Sequence, residues 1–224
     1  MARKLASKPK EPRQKDDFSK SKLSSEPARK RSKKDQLFVD RLLIGACKRG
    51  EVGEVRQLLK AGADPNYNDT TFGTAIINIM FYAIPEESRR EICRLLIDHG
   101  ADINATEERV GFTALLLAID YGKTEICKLL IDKGADLDIK DNEGKTALML
   151  AVKKDNLEIC RLLVEAGADP RLKDANGLTA LSFAERDFSH RKITRLLEPM
   201  SKLSYILYEG YVPFVKNLRE CTKQ

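Results

Sequence analysis

Tryptophan is absent from the 224 residues, and histidine occurs only at His99 and His190. Neither has the spacing of a nucleophile relay, a metal site or an acid–base pair, so the side chain that most often carries such chemistry is almost missing. No stretch approaches the roughly 18 apolar residues that a membrane-spanning helix needs. The first ten residues hold four cations and no apolar segment, so a secretory leader is not expected. Five cysteines without a secretory context point to a reducing compartment and free thiols.

Charge is plentiful but unevenly placed. Residues 1–36 carry 13 Lys/Arg and 5 Asp/Glu, a net of +8, while the remaining 188 carry 27 and 29, a net of −2. The net +6 of the chain therefore belongs to its beginning, and attraction to polyanions would have to start there. Residues 1–35 are rich in Lys, Ser and Pro, with Leu5, Phe18 and Leu23 as the large hydrophobes besides Met1. Too little apolar surface is available to offset chain entropy, and the stretch is read as a disordered basic tail. Within it Arg29, Lys30, Arg31, Lys33 and Lys34 form a cluster. A short extended cationic peptide suits the acidic groove of a nuclear import receptor, and it equally suits phosphates or a merely solubilising role. No aromatic residue interleaves the cluster, so stacking on nucleic-acid bases has no support there.

What the rest of the chain has is a repeat. Gly-Ala-Asp begins at Gly62, Gly100, Gly134 and Gly167, at intervals of 38, 34 and 33. Gly-x-Thr-Ala-Leu returns at Gly111, Gly144 and Gly177, each 33 apart, and Glu-Ile-Cys-(Lys/Arg)-Leu-Leu returns at Glu91, Glu125 and Glu158. Several words returning at one period are the mark of a stacked array. In each unit the threonine offers a hydroxyl cap to a short helix. A polar break follows, then a second helix with a broad apolar stripe. Glycine stops that helix, because it adopts a left-handed conformation cheaply. A turn-rich finger leads to the next unit.

These words resemble the ankyrin repeat family, whose Gly-x-Thr-Pro-Leu-His-x-Ala stands here as Gly-x-Thr-Ala-Leu-x-x-Ala. The resemblance implies an all-α solenoid of helix-turn-helix units with projecting β-turn fingers. Five units are expected, at about 36–67, 68–105, 106–139, 140–172 and 173–199. The first, lacking a finger, and the fifth, lacking a closing Gly-Ala-Asp, would be caps. Residues 200–224, with Tyr205, Tyr208 and Tyr211 at helical spacing, are read as a C-terminal helical extension or cap. The family's proline is Ala114, Ala147 and Ala180 here, and its histidine is Leu116, Met149 and Ser182. Those replacements remove the hydrogen bonds by which the family links neighbouring turns, so a locally weakened stack is expected.

The second unit departs most. Thr74 and Gly100 are separated by 26 residues, against 21 in the next two units, which puts five inserted residues between its helices. Pro85-Glu86-Glu87 has the composition of a fresh helix start. The third unit has one extra residue in its finger. Cys93, Cys127 and Cys160 recur at one repeat position inside apolar stripes. Stacked helices lie roughly 8–10 Å apart, too far for a disulfide or a shared zinc, so they are read as small core residues.

With no catalytic constellation, no metal and no cofactor expected, surface remains. The resemblance implies a concave wall made by the fingers and the exposed side of each first helix. Mapped onto this chain, its partner-binding positions are Lys48 and Arg49, Phe81 and Tyr82, Asp120 and Tyr121, Lys153 and Lys154, and Arg186. The fingers add Glu107, Arg109, Phe112 and Lys145. Phe81, Tyr82 and Tyr121 flanked by cations make the expected hot spot, unless the insertion folds back and buries Phe81 and Tyr82. The reading is a monomeric, non-enzymatic adaptor, cytoplasmic or nuclear, that binds a protein segment and no membrane. A nucleic-acid-associated regulator anchored by the tail, or a bacterial effector acting on host proteins, are the alternatives.

Overall fold

The computed structural model describes residues 32–68, 73–186 and 188–203. Among the described residues ten α-helices follow one another in pairs: α1 (Lys33–Arg49) with α2 (Val52–Lys60), α3 (Ala75–Phe81) with α4 (Glu86–Asp98), and α5 (Ala114–Asp120) with α6 (Thr124–Asp132). The pairs α7 (Ala147–Lys153) with α8 (Leu157–Glu165), and α9 (Ala180–Glu185) with α10 (Arg191–Leu203), complete the array. Each first helix packs on the first helices of its neighbours, and each second helix likewise, giving two rows. Among the described residues there is no strand; Thr106 and Thr113 form an isolated bridge. Nor is any helix there long and apolar enough to cross a membrane.

The local signals read from the sequence operate as expected. The hydroxyls of Thr113, Thr146 and Thr179 accept from the backbone N–H of Leu116, Met149 and Ser182. Gly62, Gly100, Gly134 and Gly167 all have positive φ at the ends of second helices. The first helices of the middle units, α3, α5 and α7, are short and mostly apolar: in α5, every residue from Ala114 to Ile119 is buried. Cys93, Cys127 and Cys160 are buried, and Cys47 of α1 joins them. Burial pushes all four thiols up to about 12, the behaviour of inert core groups.

Side-chain to backbone bonds of another kind join neighbouring turns into a ladder. In each Gly-Ala-Asp turn the aspartate N–H is bonded to a side-chain oxygen of the unit before it. Asp102 N–H meets Asn66 Oδ1 at 2.7 Å, Asp136 N–H meets Asn104 Oδ1 at 2.9 Å, and Asp169 N–H meets Asp138 Oδ1 at 3.0 Å. The aspartate's own Oδ1 accepts from the residue two positions on, at 2.9 Å in each unit. The first turn has no preceding unit. Its rung is supplied by α1, where buried Asp40 accepts from Asp64 N–H at 2.7 Å and from Gln36 Nε2 at 2.7 Å.

That duty accounts for the length of α1, which runs 17 residues where α3, α5 and α7 run seven. It begins at Lys33 behind the Ser32 cap, three residues ahead of the boundary read at position 36. Lys33 and Lys34 are therefore helical and do not extend a linear cationic peptide; Arg29, Lys30 and Arg31 lie outside the described residues. At the other end α10 packs on α8 and α9 through Ile193 and Leu197 and reaches Leu203. The tyrosine series at 205, 208 and 211 lies outside the described residues, as does Cys221.

Replacing Asp40 by Ala should strip the first rung and cost about 1–3 kcal/mol, seen as a lower Tm and faster amide exchange in α1 and the 61–65 turn. Asp138 carries a charge where Asn66 and Asn104 carry none. Partial burial, then the acids Asp169 and Asp136, hold its carboxyl above the ordinary aspartate value. A raised carboxyl stabilises the fold only when protonated, and that contribution is lost as pH rises. Asp138→Asn should therefore raise Tm by roughly 1–2 °C at neutral pH, solvent screening keeping the gain small. The gain should vanish below about pH 4, in thermal melts across pH.

Candidate functional site

The C-terminal ends of the first helices bring together aromatic residues of two units and a lysine of a third. Phe81 closes α3 and Tyr121 follows α5. Their rings meet edge to face, centroids 6.3 Å apart at 82°, a favoured quadrupole arrangement. Both keep substantial surface in water, 37% for Phe81 and 47% for Tyr121. Beside them Lys48, near the end of α1, places its Nζ 5.5 Å above the centroid of the half-buried Tyr82 ring, within cation–π range. The insertion therefore does not fold over Phe81.

The insertion instead lengthens α4 to 13 residues, with Pro85 at its cap, where α6 and α8 have nine. Tyr82 is extended, so α3 stops abruptly and its last carbonyls have no helical partners. Arg89 supplies them. Only 4% exposed, it donates to the carbonyls of Ile79, Tyr82 (3.0 Å) and Ile84 (3.3 Å). Its Nε lies 3.5 Å from Glu86 Oε2, and that carboxylate also meets Lys123 Nζ of the third unit at 3.2 Å. Arg89 was not legible as a site residue, since an arginine in a helix of alternating charges reads as solvent-facing.

The fingers are tied by buried acids. Asp141 Oδ1 accepts from Glu143 and Lys145 N–H, and Asp174 Oδ1 accepts from Asn176 and Leu178 N–H. The finger with one more residue has a side chain with one more methylene. Glu107 binds the N–H of Arg109, Val110 and Phe112. Successive fingers touch through Asn142 N–H to Val110 carbonyl and Ala175 N–H to Glu143 carbonyl, each 3.0 Å. Gly144 sits where a Cβ would come within 2.6 Å of Ala175 N, at φ +77°, so only glycine fits the approach.

This geometry sets the comparison with known families. The chain matches ankyrin repeats in three overlapping copies, residues 42–141, 79–174 and 136–204. The chain belongs to the ankyrin repeat family. No curated protein matches it. Ankyrin repeats mediate protein–protein interaction, and most of the residues expected to do so here are outward. Phe81, Tyr121, Arg49, Arg109, Lys153, Lys154 and Arg186 are exposed, while Lys48, Tyr82 and Asp120 are half-buried. Three expected finger positions are not surface groups. Glu107 is buried as the turn's acceptor, and Phe112 packs against the core. Lys145 is buried with its Nζ on Glu143, so its charge is already answered.

Ion pairs spend part of the cationic rim as well. Arg49 turns to Glu51 at 3.0 Å and Glu54 at 2.6 Å, and Lys154 meets Asp120 at 2.7 Å. The ankyrin face thus offers an aromatic centre more than a field of charge. Among the described residues no group of three or more His, Cys, Asp or Glu is placed to hold a metal. Replacing Arg89 by Met should cost about 2–3 kcal/mol, because it strands buried carbonyls. Urea unfolding would measure that, and the loss of ring-current shifts between Phe81 and Tyr121 would show the aromatic pair loosening.

Proposed function

We propose that this chain is an adaptor that holds a protein segment against the ends of its first helices, with Phe81 and Tyr121 at the centre of the contact. The observation that supports this most is the exposed edge-to-face pair bridging two units. Exposed aromatic rings on rigid elements bury large area at small entropic cost, which is why such residues dominate interface energetics. Rotamer freedom is already restricted by the ring contact and by Lys48 over Tyr82, so little more is lost on binding.

The surroundings define the partner by chemistry. An apolar or aromatic anchor would seat on Phe81 and Tyr121. Lys153 and Arg186 at the ends of α7 and α9, and Arg109 in the third finger, favour acidic residues flanking that anchor. The reading is of a binding scaffold with no chemistry of its own, in keeping with a family of interaction modules. Transport of the complex to the nucleus through Arg29, Lys30 and Arg31 is an added step that would need only the segment ahead of α1.

Partner capture by the full chain, with the Phe81→Ala/Tyr121→Ala variant in parallel, tests the face. Affinity for its protein partner should fall by roughly 30-fold or more, the loss of about 2 kcal/mol or greater that hot-spot truncation brings, while the melting curve shifts little. Equal capture of the same partners by both forms would place the binding elsewhere.

A further inference from the structure

Helix α1 has a second face that neither the array nor the adaptor reading uses. Leu43, Ile44, Ala46 and Cys47 face the core, where α1 packs chiefly on α2 and α3. Off that stripe stand Leu37, 43% exposed, Phe38, 54% exposed, and Leu42, 37% exposed. Phe38 and Leu42 are four residues apart and so adjoin on one side of the helix. A terminal repeat normally turns a polar face to water; this one turns three large hydrophobes outward. Exposed cations stand around them at Lys33, Lys34 and Arg41. The one exposed acid of that turn, Asp35, is engaged by the Ser32 hydroxyl at 2.7 Å.

We propose that this face of α1 seats on an anionic lipid surface, with the apolar side chains entering the headgroup boundary and the surrounding cations meeting lipid charge. Charge decides among the occupants. Residues 1–31 carry 11 Lys/Arg against 4 Asp/Glu, so folding them onto a basic-rimmed stripe sets like charge against like. A second copy docking through the same face meets the same repulsion. A standard protein interface needs about 800 Å² from each partner, and three partly exposed side chains on one helix fall well short. A negatively charged bilayer needs no such matched area. It answers the apolar stripe and the contiguous run of cations together, and surface attachment takes two such signals. The lack of a spanning helix does not bear on this mode.

The absence of tryptophan makes the test direct. The full chain is sedimented with vesicles of phosphatidylcholine alone and with vesicles containing about one-third phosphatidylserine, across a salt series. Binding is expected only to the anionic vesicles and should weaken as salt rises. Leu37→Gln/Phe38→Gln/Leu42→Gln, which alters outward positions only, should bind at least about tenfold more weakly with an unchanged circular dichroism spectrum. In a Phe38→Trp variant the single indole should shift to the blue and be quenched by brominated acyl chains, while Tyr121→Trp should report no change. Equal sedimentation of the triple-Gln variant would show that the charge of residues 1–31 acts alone, and would overturn the proposal. So would failure of the natural chain to sediment. So would an indole at position 38 that responds to an acidic amphipathic peptide but not to lipid, which would assign the face to a protein.

Discussion

The second, third and fourth units are each tied to their predecessor by a short bond between a side-chain oxygen and the N–H of their Gly-Ala-Asp aspartate. Apolar burial would hold helix pairs together in many relative offsets, because it is not directional. The bond is directional, and it recurs at the same place in each turn. It therefore fixes how far one unit is displaced from the next, and with it the distance between equivalent side chains. Asp40 performs the same office at the start of the array, which lets α1 close the ladder without another repeat ahead of it.

A stack so regular spaces its outward side chains evenly, and function enters where regularity is broken. The second unit carries the break. Its first helix ends where Tyr82 turns extended, and Arg89 reaches back from α4 to the carbonyls there. A buried guanidinium suits that task, since its planar fork holds several acceptors at once without being deprotonated. The result carries Phe81 out to the ring of Tyr121. Glu86, shared between Arg89 and Lys123, joins the inserted segment to the third unit, so the two aromatic residues sit on supports that are themselves linked.

The same economy shapes the fingers. An aspartate organises the turns at 141 and 174, and a glutamate organises the turn with one residue more. Side-chain length follows loop length because one carboxylate must reach N–H groups spread over a wider arc. Charges engaged in this way, or paired as Arg49 and Lys154 are, add to the shape of the face more than to its field. The free apolar and cationic character is concentrated at α1 instead.

The sequence by itself determined the unit, its caps and its stops. Threonine at a helix start, glycine after a helix end and the apolar stripe of Glu-Ile-Cys-x-Leu-Leu act within a few residues, and the period multiplies them. It also settled the chemistry of the cysteines, because equivalent positions in stacked units cannot meet. Tertiary structure alone decided which polar side chains are outward. Lys145 is buried with its charge on Glu143 and Phe112 packs against the core, though both stand at finger positions, and Arg89 lies in a strongly polar helix yet is enclosed. Leu37 and Phe38 are large hydrophobes, yet no described unit covers them. Exposure in a stack is set by a neighbour some 33 residues away, and no local pattern along the chain carries that information.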